Sequence, residues 1–176
     1  MERKAYVEEK MKKDICSGTG KEHQDGFRVE KAHVRDLAIL AELAVQMWEG
    51  HTLQELEEDF AETMQKPDAC FFLAWAGALP VGFAQCQLRH DYVEGTDSTP
   101  VGYLEGIFVR KDFRHSGCAK ALLEACEKWA GEMGCREFAS DCEPGNTDSL
   151  GFHLSTGFAE ANRIICFVKK IENLPS

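Results

Sequence analysis

The spacing of apolar and polar residues changes period several times along the chain, and each change predicts an element. FRVEK at 27–31 alternates as a short strand, and Asp36 opens DLAILAELAVQMW at 36–48, whose apolar residues recur at helical spacing. A second helix follows in LQELEEDFAETMQ at 53–65. FFLAWA at 71–76, a turn from Gly77 to Pro80 and VGFAQCQLRHDY at 81–92 form a strand hairpin, closed by the loop VEGTDSTPVG at 93–102. YLEGIFVR at 103–110 is a mostly apolar strand. The helix CAKALLEACEKWAGEMG at 118–134 gathers Leu122, Leu123, Cys126, Trp129 and Ala130 on one face. CREFASD at 135–141 reads as a strand, SLGFHLST at 149–156 as a short helix ended by Gly157, and RIICFVKK at 163–170 as a last strand.

The resulting order, β-α-α-β-β-β-α-β-α-β, predicts an α+β (α/β mixed) fold in which helices pack on a single sheet. Residues 27–176 form the expected domain. Residues 1–26, charged and poor in apolar side chains, read as a poorly ordered extension. Composition adds limits rather than detail. A chain of 176 residues suits one domain with a proper core, and no apolar run is long enough to cross a bilayer. The first residues mix both charges and lack the apolar stretch of a secretory signal, so a cytoplasmic location is expected. Eight cysteines are present without a CxxC pair, which removes the usual zinc spacing and leaves them as small reduced hydrophobes. No metal is expected. The net charge of −10 weighs against a nucleic-acid partner.

Against that acidic background, Arg110, Lys111, Arg114, His115 and Lys120 crowd the turn around Gly117. The turn lacks GxxxxGK[ST] and GxGxxG, so neither a P-loop nor a dinucleotide fold is indicated. What remains is a strand followed by backbone amides around Ser116 to Ala119 that open a helix, with Gly117, Cys118 and Ala119 small enough for a ligand to approach. Such a turn suits a pyrophosphate. It also reads as a helix start with solvated basic residues, and spacing alone leaves both readings open.

RHSGCA matches the R-x-x-G-x-[GA] acyl-CoA motif of the GNAT superfamily of N-acetyltransferases, with YLEGIFVR before it and NTDSLGFHLSTGF after it. MWEGH, LRHDYVEGTDSTPV, YLEGIFV and GCREFASD resemble the chromosomally encoded bacterial aminoglycoside 6'-N-acetyltransferases. The similarity runs from about Phe27 to Lys169; residues 1–26 have no counterpart. It implies a GNAT fold, with a central mixed, mostly antiparallel sheet flanked by helices. It implies acetyl-CoA as cosubstrate, its pyrophosphate on Arg114, His115, Ser116, Gly117, Cys118 and Ala119, with Lys120 adding charge and Asn146 nearby. A bulged strand at Ile107, Phe108 and Val109 would pair with the pantetheine arm. The acceptor implied is a cationic aminoglycoside, held by Trp48, His51, Tyr92, Glu105 and Asp141. A homodimer is implied too, with the apolar IICFV as the segment that exchanges or pairs.

Acyl transfer to an amine requires a base, an oxyanion donor and a proton for the departing thiolate. Glu105, in the central strand beside the expected bulge, is the candidate base. A backbone N–H near Ile107 or Phe108 is the candidate oxyanion donor. Many GNAT enzymes carry a tyrosine four residues before the glycine of the final GF; here that position is His153, a candidate acid that also reads as a packing residue beside Phe152. Cys135 matches a cysteine proposed as an acid in the resembled subgroup and reads equally as a buried strand cysteine. Asp91, Glu94, Asp97, Glu143 and Asp148 are further candidates for an acidic lining, which attracts a polycation. Two alternatives stay open: acetylation of another cationic amine, such as a polyamine or a protein N-terminus, and a non-catalytic acyl-CoA-binding module.

Overall fold

The computed structural model describes residues 26–170. A single sheet has the order β1-β2-β3-β4-β5, made of β1 (Arg28–Lys31), β2 (Ala69–Ala76), β3 (Leu79–Arg89), β4 (Val101–Val109) and β5 (Phe138–Ser140). The first four pair antiparallel, and β5 joins β4 in parallel. A parallel neighbour needs a crossover. That crossover carries α3 (Cys118–Glu132), while α1 (Leu37–Ala44) and α2 (Leu53–Thr63) link β1 to β2, and α4 (Thr147–Ser155) follows β5.

Helices cover both faces of the sheet, so β2 is buried along nearly its whole length and reads as a continuous apolar run rather than an alternation. On one face Leu122, Leu123, Cys126, Trp129 and Ala130 of α3 pack with Cys70, Ala84, Cys86 and Leu104. On the other, Leu40 and Leu43 of α1 with Leu56 and Phe60 of α2 meet Phe71, Leu73, Phe83 and Phe108. Phe71 and Phe83 are among the largest fully buried side chains. Each contributes about 1.5–3 kcal/mol by leaving water.

Local chemistry sets several boundaries differently from the periodicity. The first helix is preceded by a 3-10 turn at Val34–Asp36 and stops at Ala44, because the amides of Gln46 and Met47 bond back three residues to Leu43 and Ala44 and tighten the chain into turns. Thr52 and Glu55 form a capping box that starts α2. Val101 and Gly102 pair with Arg89 and Leu88, so β4 begins inside the stretch expected as a loop. Asn146 accepts a hydrogen bond from the Ser149 amide and starts α4 earlier than expected. CREFASD shortens to Phe138–Ser140.

The expected last strand at 163–170 is not formed. Residues 158–170 have no regular structure, and Ile164, Ile165, Phe167 and Val168 are 67%, 81%, 91% and 97% exposed. A strand needs a neighbour for its amides and carbonyls, and no described strand pairs with this segment. The expectation of a poorly ordered extension at 1–26 falls, apart from Gly26, outside the described residues.

Candidate active site

The parallel contact between β4 and β5 is short. It joins Gly102 to Phe138, Tyr103 to Ala139 and Leu104 to Ser140, and then ends. Beyond Leu104 the strand edge from Glu105 to Val109 has no β5 neighbour, although its other edge stays paired with β3 through Ala84, Phe83 and Gly82. A register shift at Gln85/Cys86 places Glu105 in a bulge, with Gly106 opposite Gln85. The two strands therefore part like a V whose open arm offers the backbone of Ile107, Phe108 and Val109 to an extended ligand.

His153 stands at the apex of this V. Its Nε2 lies 2.9 Å from the Ser140 hydroxyl, and that hydroxyl donates to the Leu104 carbonyl at 3.2 Å. Its Nδ1 lies 2.7 Å from the Ser149 carbonyl, an acceptor only, so this nitrogen carries a proton. The ring packs edge-on against Phe152 and Phe158. Cys135 lies between the end of α3 and the start of β5, five residues before Ser140, packed against the core, where burial pushes its thiol up.

The basic turn follows the open strand directly. His115 and Gly117 both adopt left-handed backbone, with φ of 59° and 86°. This brings the chain into α3 with no side chain capping its first amides. Those N–H groups remain available to an anion at a helix N-terminus. Arg114 Nε donates to the Val109 carbonyl at 3.2 Å, the Ser116 hydroxyl donates to the Phe113 carbonyl, and Lys120 lies 3.8 Å from Glu124. Cys118 is buried beneath the turn, while Arg114, His115, Ser116 and Lys120 are exposed. Asn146 is engaged in capping α4 through its Oδ1.

On the α1/α2 side of the sheet, Trp48 covers the bulge: a Cβ on Gly106 would lie 2.9 Å from its Cζ2. The indole packs on Phe60 and Phe83 at 6.0 and 5.9 Å. A cleft of about 410 Å³ opens between α2 and the sheet, lined among others by Trp48, His51, Asp59, Glu62, Lys66 and Gln85. Trp48 and His51 thus come together. Tyr92 lies outside this cleft, 80% exposed, with its hydroxyl donating to Glu94 at 2.9 Å. Asp91, Glu94, Asp97, Glu143 and Asp148 are all exposed. The loop that carries the first three is tethered by Glu137, whose carboxylate accepts from the Ser98 hydroxyl and from the amides of Asp97 and Ser98 and is thereby held below the usual carboxylate range.

Glu105 and Asp141 are joined through two residues that periodicity did not single out. Arg89 donates to both oxygens of Glu105 at 3.0 Å, with a further contact from Nε at 3.2 Å. The same guanidinium lies 3.2 Å over the Tyr103 ring. The Tyr103 hydroxyl donates to Asp141. Burial, with the Asp141 carboxylate beside it, pushes the Tyr103 phenol up and keeps it a donor. Arg89 and Tyr103 read in the sequence as strand residues; only the cross-strand register shows that they meet. Asp59 and Glu62 gave no signal beyond an acidic helix face, and Gln85 none beyond a polar residue in an apolar strand.

Among the described residues no group of three or more His, Cys, Asp or Glu side chains could hold a metal, and no helix is long and apolar enough to cross a membrane. The model of the acetyltransferase (GNAT) family matches residues 36–158. Aminoglycoside N(6')-acetyltransferase type 1 of Salmonella typhimurium is 44% identical over 128 residues, which cover 73% of this chain and 88% of that protein. The protein of the same name from Stenotrophomonas maltophilia is 37% identical, covering 82% of this chain and 94% of its own. Two solved structures are similar along nearly their whole length. AAC(6')-Iy with the bisubstrate analog CoA-S-monomethyl-acetylneamine has a TM-score of 0.79 and 39% identity, covering 82% of this chain and 99% of that one. The same enzyme with CoA has a TM-score of 0.80 and 37% identity, covering 88% and 100%.

Proposed function

The chain belongs to the GNAT family of acetyltransferases, and from that premise we propose that it transfers the acetyl group of acetyl-CoA to the 6'-amino group of aminoglycosides, conferring resistance to them. The observation that carries the reading is the V between β4 and β5, with an uncapped helix at the end of its open arm and a carboxylate at its bulge. Acetyl-CoA is an extended chain with a pyrophosphate. The free edge at Ile107 to Val109 suits the pantetheine arm, and the amides around Gly117 to Ala119, with Arg114, His115, Ser116 and Lys120, suit the pyrophosphate.

Direct transfer then needs no covalent intermediate on the enzyme. Glu105, acting directly or through water, removes a proton from the acceptor ammonium, and the freed amine attacks the thioester carbon. Arg89 donates twice to Oε1 and once to Oε2, which leaves a lone pair on Oε2 for the acceptor. A backbone N–H near Ile107 or Phe108 holds the oxyanion. As the C–N bond forms, the C–S bond breaks and the thiolate takes a proton. The two candidate donors are His153, whose Nε2 reaches the last β4–β5 pair through the Ser140 hydroxyl, and Cys135. Trp48 and His51 in the cleft, with Asp141 beyond the apex and Tyr92 exposed outside the cleft, are assigned to the acceptor.

The test is thiol release from acetyl-CoA with kanamycin-type aminoglycosides offered beside spermidine, repeated with Glu105→Gln. A strong preference for the aminoglycosides and a loss of about a hundredfold or more in kcat/KM for the variant are expected. Preferred turnover of spermidine would move the acceptor to another cationic amine, and CoA binding without turnover of any amine would leave only an acyl-CoA-binding module.

The reading extends to a cytoplasmic homodimer. Use of acetyl-CoA and the free cysteines support the compartment. The four exposed apolar side chains between Ile164 and Val168 support the dimer, because a segment of that composition is stable in water only against a partner surface. Light scattering should give twice the monomer mass, falling to the monomer mass for Phe167→Asp with Ile165→Asp; a monomeric parent protein refutes the dimer.

A further inference from the structure

Gln85 occupies an unusual place in the acceptor cleft. It lies in the middle of β3, between the buried Ala84 and Cys86 and two residues after the buried Phe83, with the half-buried Gln87 two residues further on. It is itself only 9% exposed, and its carboxamide makes no hydrogen bond among the described residues. The little surface it keeps opens into the cleft that it lines with Trp48, His51, Asp59 and Glu62. Its backbone partner across the sheet is Gly106, the residue after Glu105.

With no partner among the described residues, the carboxamide is satisfied only by what enters the cleft, water in the free protein and a docked acceptor in the complex. A methionine would fill nearly the same volume without a hydrogen-bonding group. We propose that Gln85 is a specificity-determining residue whose carboxamide hydrogen-bonds an uncharged hydroxyl of the acceptor docked in this cleft. A carboxamide donates through its nitrogen and accepts through its oxygen, and a hydroxyl also does both. Trp48 offers apolar surface to a ring and Asp59 offers charge to an ammonium group, while Glu62 is paired with Lys66 at 3.7 Å. The acceptor class is therefore a polyhydroxylated amine rather than a simple polyamine. This rests on the aminoglycoside reading and adds the means by which the site separates the two.

The experiment compares the parent protein with Gln85→Met for thermal stability, CoA affinity and steady-state kinetics with kanamycin. The expected result is an unchanged or raised melting temperature, unchanged CoA binding, and a loss of about ten- to a hundredfold in kcat/KM, carried mainly by KM. Gln85→Glu, which keeps the acceptor oxygen and loses the donor nitrogen, should fall between the two. A lowered melting temperature in Gln85→Met with unaltered kanamycin kinetics would assign Gln85 to the fold and overturn the proposal. Unaltered kinetics and stability together would overturn it as well, while leaving the aminoglycoside activity in place. If the parent protein neither binds nor acetylates kanamycin, the functional reading fails first and the proposal goes with it.

Discussion

At the scale of single residues, the proposed acceptor site carries a chain of alternating charge and hydrogen bonding: Glu105, Arg89, the Tyr103 ring and Asp141. Arg89 fixes the direction of the Glu105 carboxylate by a two-pronged contact that a lysine cannot reproduce. Arg89→Gln should lower kcat with kanamycin about tenfold or more and leave CoA affinity unchanged, and Arg89→Lys should restore little of it. Equal kcat in parent and variant would show that Glu105 needs no such support. The sequence made Glu105 and Asp141 legible through their blocks, YLEGIFV and GCREFASD. It hid Arg89 and Tyr103, because a contact between neighbouring strands depends on register, and here the bulge beside Glu105 shifts that register.

At the scale of elements, periodicity was sufficient wherever a helix laid one face on the sheet, as α3 does with Leu122, Leu123, Cys126 and Trp129. It failed at the ends, where caps and short-range hydrogen bonds decide: Asn146 moves the start of α4, and back-bonding at Met47 ends α1. It failed outright at RIICFVKK, whose alternation is that of a strand and whose neighbour is missing from the described sheet. The β4–β5 contact depends on a close approach that no pattern announces. A Cβ on Gly102 would stand 2.4 Å from the Phe138 ring and 2.7 Å from the Ala130 Cβ. Gly102→Ala should therefore lower the unfolding free energy by about 1–3 kcal/mol and weaken CoA binding by disturbing the strands that define the V. Denaturant unfolding with a CoA titration checks both, and an unchanged midpoint would show that Phe138 yields freely.

At the scale of the whole molecule, an acidic protein gathers Arg110, Lys111, Arg114 and Lys120 around one turn, while Asp59, Glu105 and Asp141 lie on the side proposed for the acceptor. The two substrates have opposite charge, and each is steered to its own side of the sheet edge. Salt above the physiological range should thus weaken both encounters.

The open arm of β4 carries one more consequence. A pantetheine arm bound there, as proposed, would lie where a further strand would, so the substrate would complete the sheet and become part of what keeps it closed. Backbone amides of residues 106–109 that face the gap should exchange with deuterium quickly in the free protein and slowly with CoA present, while those facing β3 stay protected throughout. An exchange pattern along β4 that CoA leaves unaltered would place the pantetheine arm elsewhere. With the expected pattern, the cellular supply of acetyl-CoA governs how long each molecule survives proteolysis as well as how fast it works.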